Sequence, residues 1–106
     1  DTLTDDRLAA WAKALGHPAR LAILRTLGVR GTCLCGEVVE VVGLAQSTVS
    51  QHLKVLREAG LIQGTPDGAR SCYCLDAAAL AAVADRFAAF FGGLHACACD
   101  DTCTCC

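Results

Sequence analysis

The chain has 106 residues, is 54% hydrophobic and carries a formal charge of −2, which is one domain's worth with a small core that gains from dimerisation. Its longest apolar stretch is broken by Asp85 and Arg86, short of the roughly 20 residues a membrane span needs. The acidic start DTLTDDRLAA lacks the basic flank and apolar run of a secretory signal, so a cytoplasmic protein with no membrane partner is expected.

Residues 5–15 set Leu8, Trp11, Ala12 and Leu15 at i, i+3, i+4 and i+7, one apolar stripe of a first helix. Gly16 ends it, and Pro18 suits the first turn of a second helix. That helix, PARLAILRTL, is expected to bury Leu21, Ile23, Leu24 and Leu27, to leave Arg20 and Arg25 outside, and to stop at Gly28. A short third helix is predicted from Leu34 to Val42, closed by Gly43, and a fourth from Gln46 to Ala59, closed by Gly60. LIQGT and RSCYCL then flank the turn signal PDGA and predict a β-hairpin. An Ala-rich helix from Asp76 to about Phe91 follows, with Leu80, Val83, Phe87, Phe90, Phe91 and Leu94 at helical spacing. Residues 1–94 thus form one domain, and residues 95–106 are a Cys-rich tail. The order is that of a winged helix-turn-helix, mainly α with a small β-hairpin wing.

The net charge hides an asymmetry. Between His17 and Tyr73 six basic residues face four acidic ones, while acid gathers at both ends, which permits nucleic-acid binding without demanding it. In the fourth helix Val49, Leu53 and Leu56 form a core stripe. Ser47, Ser50, Gln51 and Lys54 form a second, polar stripe suited to phosphates and base edges in a major groove. Thr48 can bond a phosphate or cap the helix, and Arg70 can act from the wing. His52 has two readings of equal weight, a DNA contact or a packed, satisfied histidine. Taken alone the polar stripe is an ordinary solvated face; the helix and turn before it and the hairpin after it favour DNA.

The segments GLAQSTVSQHLKVLREAGLI, GHPARLAIL and CLCGE resemble the ArsR/SmtB family of winged-helix metalloregulators over roughly Leu8 to Leu75. The resemblance implies a homodimeric repressor of operator double-stranded DNA, joined through its first and last helices and released by a metal ion or metalloid. Ala45 departs from the family pattern, which has a capping Ser there, so capping is expected to shift to Gln46 or Ser47.

Nine cysteines, an odd number, fall in C-x-C or C-C spacings that do not readily bridge to one another but can hold one soft ion. Free thiols in a reducing cytoplasm are therefore expected. Cys33 and Cys35 resemble the C-x-C of the family's arsenic-responsive members, which implies As(III) or Sb(III) as inducer and no organic cofactor. At i, i+2 in a helix these thiols point about 200° apart, so the helix start must unwind to share an ion, which moves the DNA-reading helix. Where some relatives have a third thiol this chain has Glu37, so the third ligand must come from elsewhere. Cys97, Cys99, Cys103, Cys105 and Cys106 of the tail are the candidates, alone or with the C-x-C pair. Cys72 and Cys74 share one strand face and read as packing. The zinc-sensing pattern of the family is absent, because Phe87 stands where a His would follow Asp85. Tetrahedral binding of Cd, Pb or Zn by four cysteines stays open. So do a thiol redox or persulfide switch on the same fold and a metal buffer that never touches DNA. No catalytic constellation is present, and an enzyme is not expected.

Overall fold

The computed structural model describes residues 2–31, 34–35, 45–65 and 72–94. Helix α1 spans Thr2–Leu15 and buries Trp11 and Ala14, with Leu15 packed beside them. The Trp11 indole N–H donates to the carbonyl of Ala59 at 3.3 Å. A buried indole thereby keeps its one polar atom satisfied and ties α1 to a distant part of the chain.

Helix α2 spans Pro18–Arg30. His17 caps it, its Nδ1 accepting from the Ala19 N–H at 3.0 Å, and Pro18 occupies the first turn as expected. The helix does not stop at Gly28. It runs on to Gly31, whose φ of 66° lets its N–H close onto the Leu27 carbonyl. Ile23 and Leu27 are buried and Leu24 is partly so, whereas Leu21 is 38% exposed, contrary to expectation. Ile23 and Leu27, at i and i+4, define the inward face. Leu21, two residues from Ile23, lies about 200° around the helix from it.

Strand β1, Leu34–Cys35, replaces the predicted start of a helix over Leu34–Val42; the rest of that segment lies outside the described residues. Helix α3 is Gln46–Glu58, strands β2 and β3 are Ile62–Thr65 and Cys72–Leu75, and helix α4 is Ala77–Gly92. The sheet order is β1-β3-β2, antiparallel throughout, so the expected hairpin is widened by a third strand. Gly64 faces the buried Tyr73 across the β2–β3 pair, and a Cβ there would collide with its ring.

Asp76 joins this sheet to α4. One carboxylate oxygen caps the helix by accepting from the Ala79 N–H at 3.0 Å, and the other accepts from the Gln63 side chain at 2.9 Å. The Gln63 bond first, then the Ala79 bond, holds the carboxyl below the usual carboxylate range. One core unites Ile23 and Leu27 of α2, Val49, Leu53 and Leu56 of α3, Leu61, Ile62 and Tyr73 of the sheet region and Val83 of α4. Burying one such side chain fully contributes about 1.5–3 kcal/mol. Four described helices with a small antiparallel sheet make a winged helix-turn-helix.

Candidate nucleic-acid interface

Helix α3 has the two faces expected of it. Val49, Leu53 and Leu56 point into the core, at 0%, 5% and 0% exposure, while Ser47, Thr48, Ser50, Gln51 and Lys54 are all exposed. A polar row is thus held on a helix whose opposite side is fixed. That row offers hydroxyl and amide groups and an ammonium, the donors that phosphate oxygens and base edges accept. The N-cap position remains at Ala45, which makes no side-chain cap hydrogen bond. Arg70 lies outside the described residues.

His52 is the packed histidine of the two readings. It is 8% exposed, and its Nδ1 accepts from the Arg20 Nε–H at 3.2 Å. Its ring lies 4.4 Å from that of His17, centroid to centroid, tilted by 49°. Arg20, expected outside, is half-buried because the same guanidinium also donates to the Lys13 carbonyl at 2.9 Å. One side chain therefore gathers the end of α1, the start of α2 and the side of α3. Burial first, then the electrostatic influence of His17 and Arg20, lowers the His52 pKa, which disfavours the charged ring and agrees with Nδ1 acting as an acceptor. The spacing of His17 and Arg20 at i, i+3 in GHPAR was the one local signal of this cluster. Around it opens a surface hollow of about 320 Å³ lined by Arg20, Ser47, Thr48, Gln51, His52 and Val55.

At α1 and α4 the surface has a different character. A hollow of about 240 Å³ is lined by Asp5, Leu8, Ala9, Ala12, Phe87 and Phe90. Phe90, Phe91 and Leu94 are 45%, 63% and 57% exposed, and Phe91 stacks at 6.4 Å on Phe87 and lies edge-on at 5.3 Å to Phe90.

Cys33 and the five tail cysteines lie outside the described residues. Cys35 lies in β1 with its Cα opposite that of Cys72. Its place in a strand removes the expected need to unwind a helix there. Cys72 and Cys74 are half-buried on β3 and both are disulfide-bonded, so the expectation of free thiols fails for these two. Among the described residues no three His, Cys, Asp or Glu side chains gather into a metal-binding group, and no helix is long and apolar enough to cross a membrane.

A helix-turn-helix domain family matches residues 15–65, the stretch from the end of α1 through β2. The HTH-type transcriptional regulator YgaV of Escherichia coli is 37% identical over 78 residues, covering 74% of this chain and 79% of that protein. The chain belongs to the ArsR/SmtB family of winged-helix transcriptional regulators. Two solved structures show the same architecture. One, a possible transcriptional regulator for arsenical resistance, is 29% identical with a TM-score of 0.64, covering 74% of this chain and 81% of that one. The other is the homodimeric winged helix-turn-helix domain of a possible ArsR-family regulator from Mycobacterium bovis. It is 26% identical with a TM-score of 0.59, covering 87% of this chain and 89% of that one. These ArsR-type relatives are DNA-binding regulators and not enzymes, which agrees with the sequence reading.

Proposed function

We propose that this chain is a homodimeric cytoplasmic repressor that leaves its operator when As(III) or Sb(III) binds cysteine thiolates. The observation that carries the DNA half is the exposed row of Ser47, Thr48, Ser50, Gln51 and Lys54 on a helix whose other face is fully buried. A duplex major groove admits one such helix from each protomer, and paired half-sites give the operator its two-fold symmetry. Arg70 would add a wing contact. The exposed Phe90, Phe91 and Leu94, continuous with the apolar hollow at α1, are the surface a second copy would cover; the Mycobacterium relative is a homodimer.

The metalloid half rests on donor chemistry. Thiolates select soft acceptors, and Cys33 and Cys35 provide two of them shortly before the DNA-reading helix in the sequence, with the tail cysteines as further candidates. The likeness to a possible regulator for arsenical resistance supports this choice. Inducer and DNA are coupled only if each favours a different arrangement of the same chain, and the coupling is reciprocal. A second reading, a thiol redox repressor, is favoured by the disulfide-bonded state of Cys72 and Cys74.

The test is fluorescence anisotropy of a duplex selected from a random pool by the reduced protein. Arsenite or antimonite should release it, and Cys33→Ser with Cys35→Ser should abolish the response while DNA affinity stays. Release by oxidant alone would establish the redox reading instead.

A further inference from the structure

His52 is packed on one side of its ring and open on the other. Its Nδ1 accepts from the Arg20 Nε–H at 3.2 Å. A guanidinium can only donate, so Nδ1 carries no proton in this bond and the N–H of the ring is at Nε2. Nε2 has no hydrogen-bond partner among the described residues. No buried side-chain nitrogen or oxygen among them is left unsatisfied, so Nε2 reaches the surface. In a residue only 8% exposed, that opening is the hollow of about 320 Å³ which His52 lines.

The rest of the lining suits an anion. Arg20 brings a full positive charge, and no acid is among the described residues around the hollow. The Lys13 carbonyl holds the guanidinium at 2.9 Å, so the cation is ordered before any ligand arrives and loses little freedom on binding. Ser47 and Thr48 of the lining stand at the start of α3. The first bond of that helix runs from the Val49 N–H to the Ala45 carbonyl, and Ala45 supplies no side-chain cap. The N–H groups of Gln46, Ser47 and Thr48 are therefore without partners in the helix, at the end where its dipole is positive.

We infer that this hollow seats one phosphate of the operator backbone, held by the Arg20 guanidinium, the His52 Nε2–H and the start of α3. This rests on the DNA half of the reading above and adds to it two residues, Arg20 and His52, that lie outside the exposed polar row. The backbone is the favoured source of the phosphate because the seat shares Ser47, Thr48 and Gln51 with that row. A phosphate fixed here sets the strand at the edge of the groove that the row enters. Contacts of this kind carry no sequence information and fix the register of the reading helix. The one histidine thus serves the core through Nδ1 and the duplex through Nε2.

The test uses the reduced full chain and its selected duplex, read by fluorescence anisotropy. Phosphates are replaced by neutral methylphosphonate, one position at a time and alike in both half-sites. One such replacement should weaken wild-type binding by at least about ten-fold, the worth of a hydrogen bond to a charged group. Arg20→Gln should lose a similar factor on the natural duplex. The same replacement should then cost this variant nothing further, while replacements elsewhere keep their full effect. Should Arg20→Gln fail to fold, Thr48→Val at an exposed position should show the same loss of additivity. Additive losses at every position would overturn the inference. Inorganic phosphate, titrated against chloride at constant ionic strength, reads the other source of the same oxyanion and should compete no better than chloride. Competition that vanishes in Arg20→Gln, with no coupled position in the duplex, would make the hollow a free-anion site and overturn the backbone assignment. A protein that selects no duplex refutes the DNA reading together with this seat. One that selects a duplex yet shows only additive losses keeps the reading and loses the seat.

Discussion

Helices α3 and α4 are built alike on their inner sides and differently on their outer ones. Each turns an apolar stripe to one core, Val49, Leu53 and Leu56 from α3 and Val83 from α4. Outside, α3 shows hydroxyls, an amide and a lysine, whereas α4 shows Phe90 and Phe91. The inner face of a helix determines where it sits; its outer face determines what it meets. A polar row with a single ammonium suits a hydrated, charged groove, and exposed aromatics suit another protein surface from which water is expelled.

This contrast can be broken most severely from the inside. Leu56→Ala, at a fully buried position, should destabilise the fold by about 3 kcal/mol, read as a shift of the urea midpoint at constant slope. Phe90→Asp with Phe91→Asp acts on the outer face of α4. It should leave the fold but yield monomers in sedimentation, and lower apparent operator affinity by about a hundred-fold through loss of two-site binding. If the variant stays dimeric, the aromatic edge is not the interface.

A smaller effect is expected at the outer face of α3. Lys54→Ala should weaken DNA binding and reduce the slope of log affinity against log salt by about 1, with arsenite binding unchanged. The smallest concerns His52. Its folded pKa lies below the unfolded value of 6.5, so the unfolded chain binds the extra proton first. The stability it contributes is fully present above pH 6.5 and is lost as pH falls through the lowered folded value. His52→Gln should flatten the decline in urea midpoint between pH 7.5 and 5.5. An unchanged decline would assign it to groups other than His52.

The sequence made α3 legible because its information is local: two stripes at helical spacing declare two environments. His52 was undecidable from the stripe alone, since its burial depends on Arg20, 32 residues earlier in the chain. Arg20 itself looked like a surface cation, and only the carbonyl of Lys13 at the end of α1 explains why it is half-buried. The helix expected over Leu34–Cys35 gives way to a strand for a similar reason. Two residues carry no period of their own, and the partners that make them a strand, Cys72 and Tyr73, lie far along the chain. Gly28 is the expected stop of α2, and the left-handed φ at Gly31 shows why the helix runs on to end there instead. From the sequence Cys72 and Cys74 read as packing, because no local pattern reveals which strand lies opposite.

The central claim is that thiolate chemistry and DNA binding are alternatives of one molecule, so the most direct measurement is linkage in both directions. Arsenite affinity of the reduced protein should be determined by calorimetry, free and saturated with its duplex. The account predicts weaker arsenite binding on DNA, by the same factor with which arsenite weakens DNA binding. Equal arsenite affinity in the two states would contradict it.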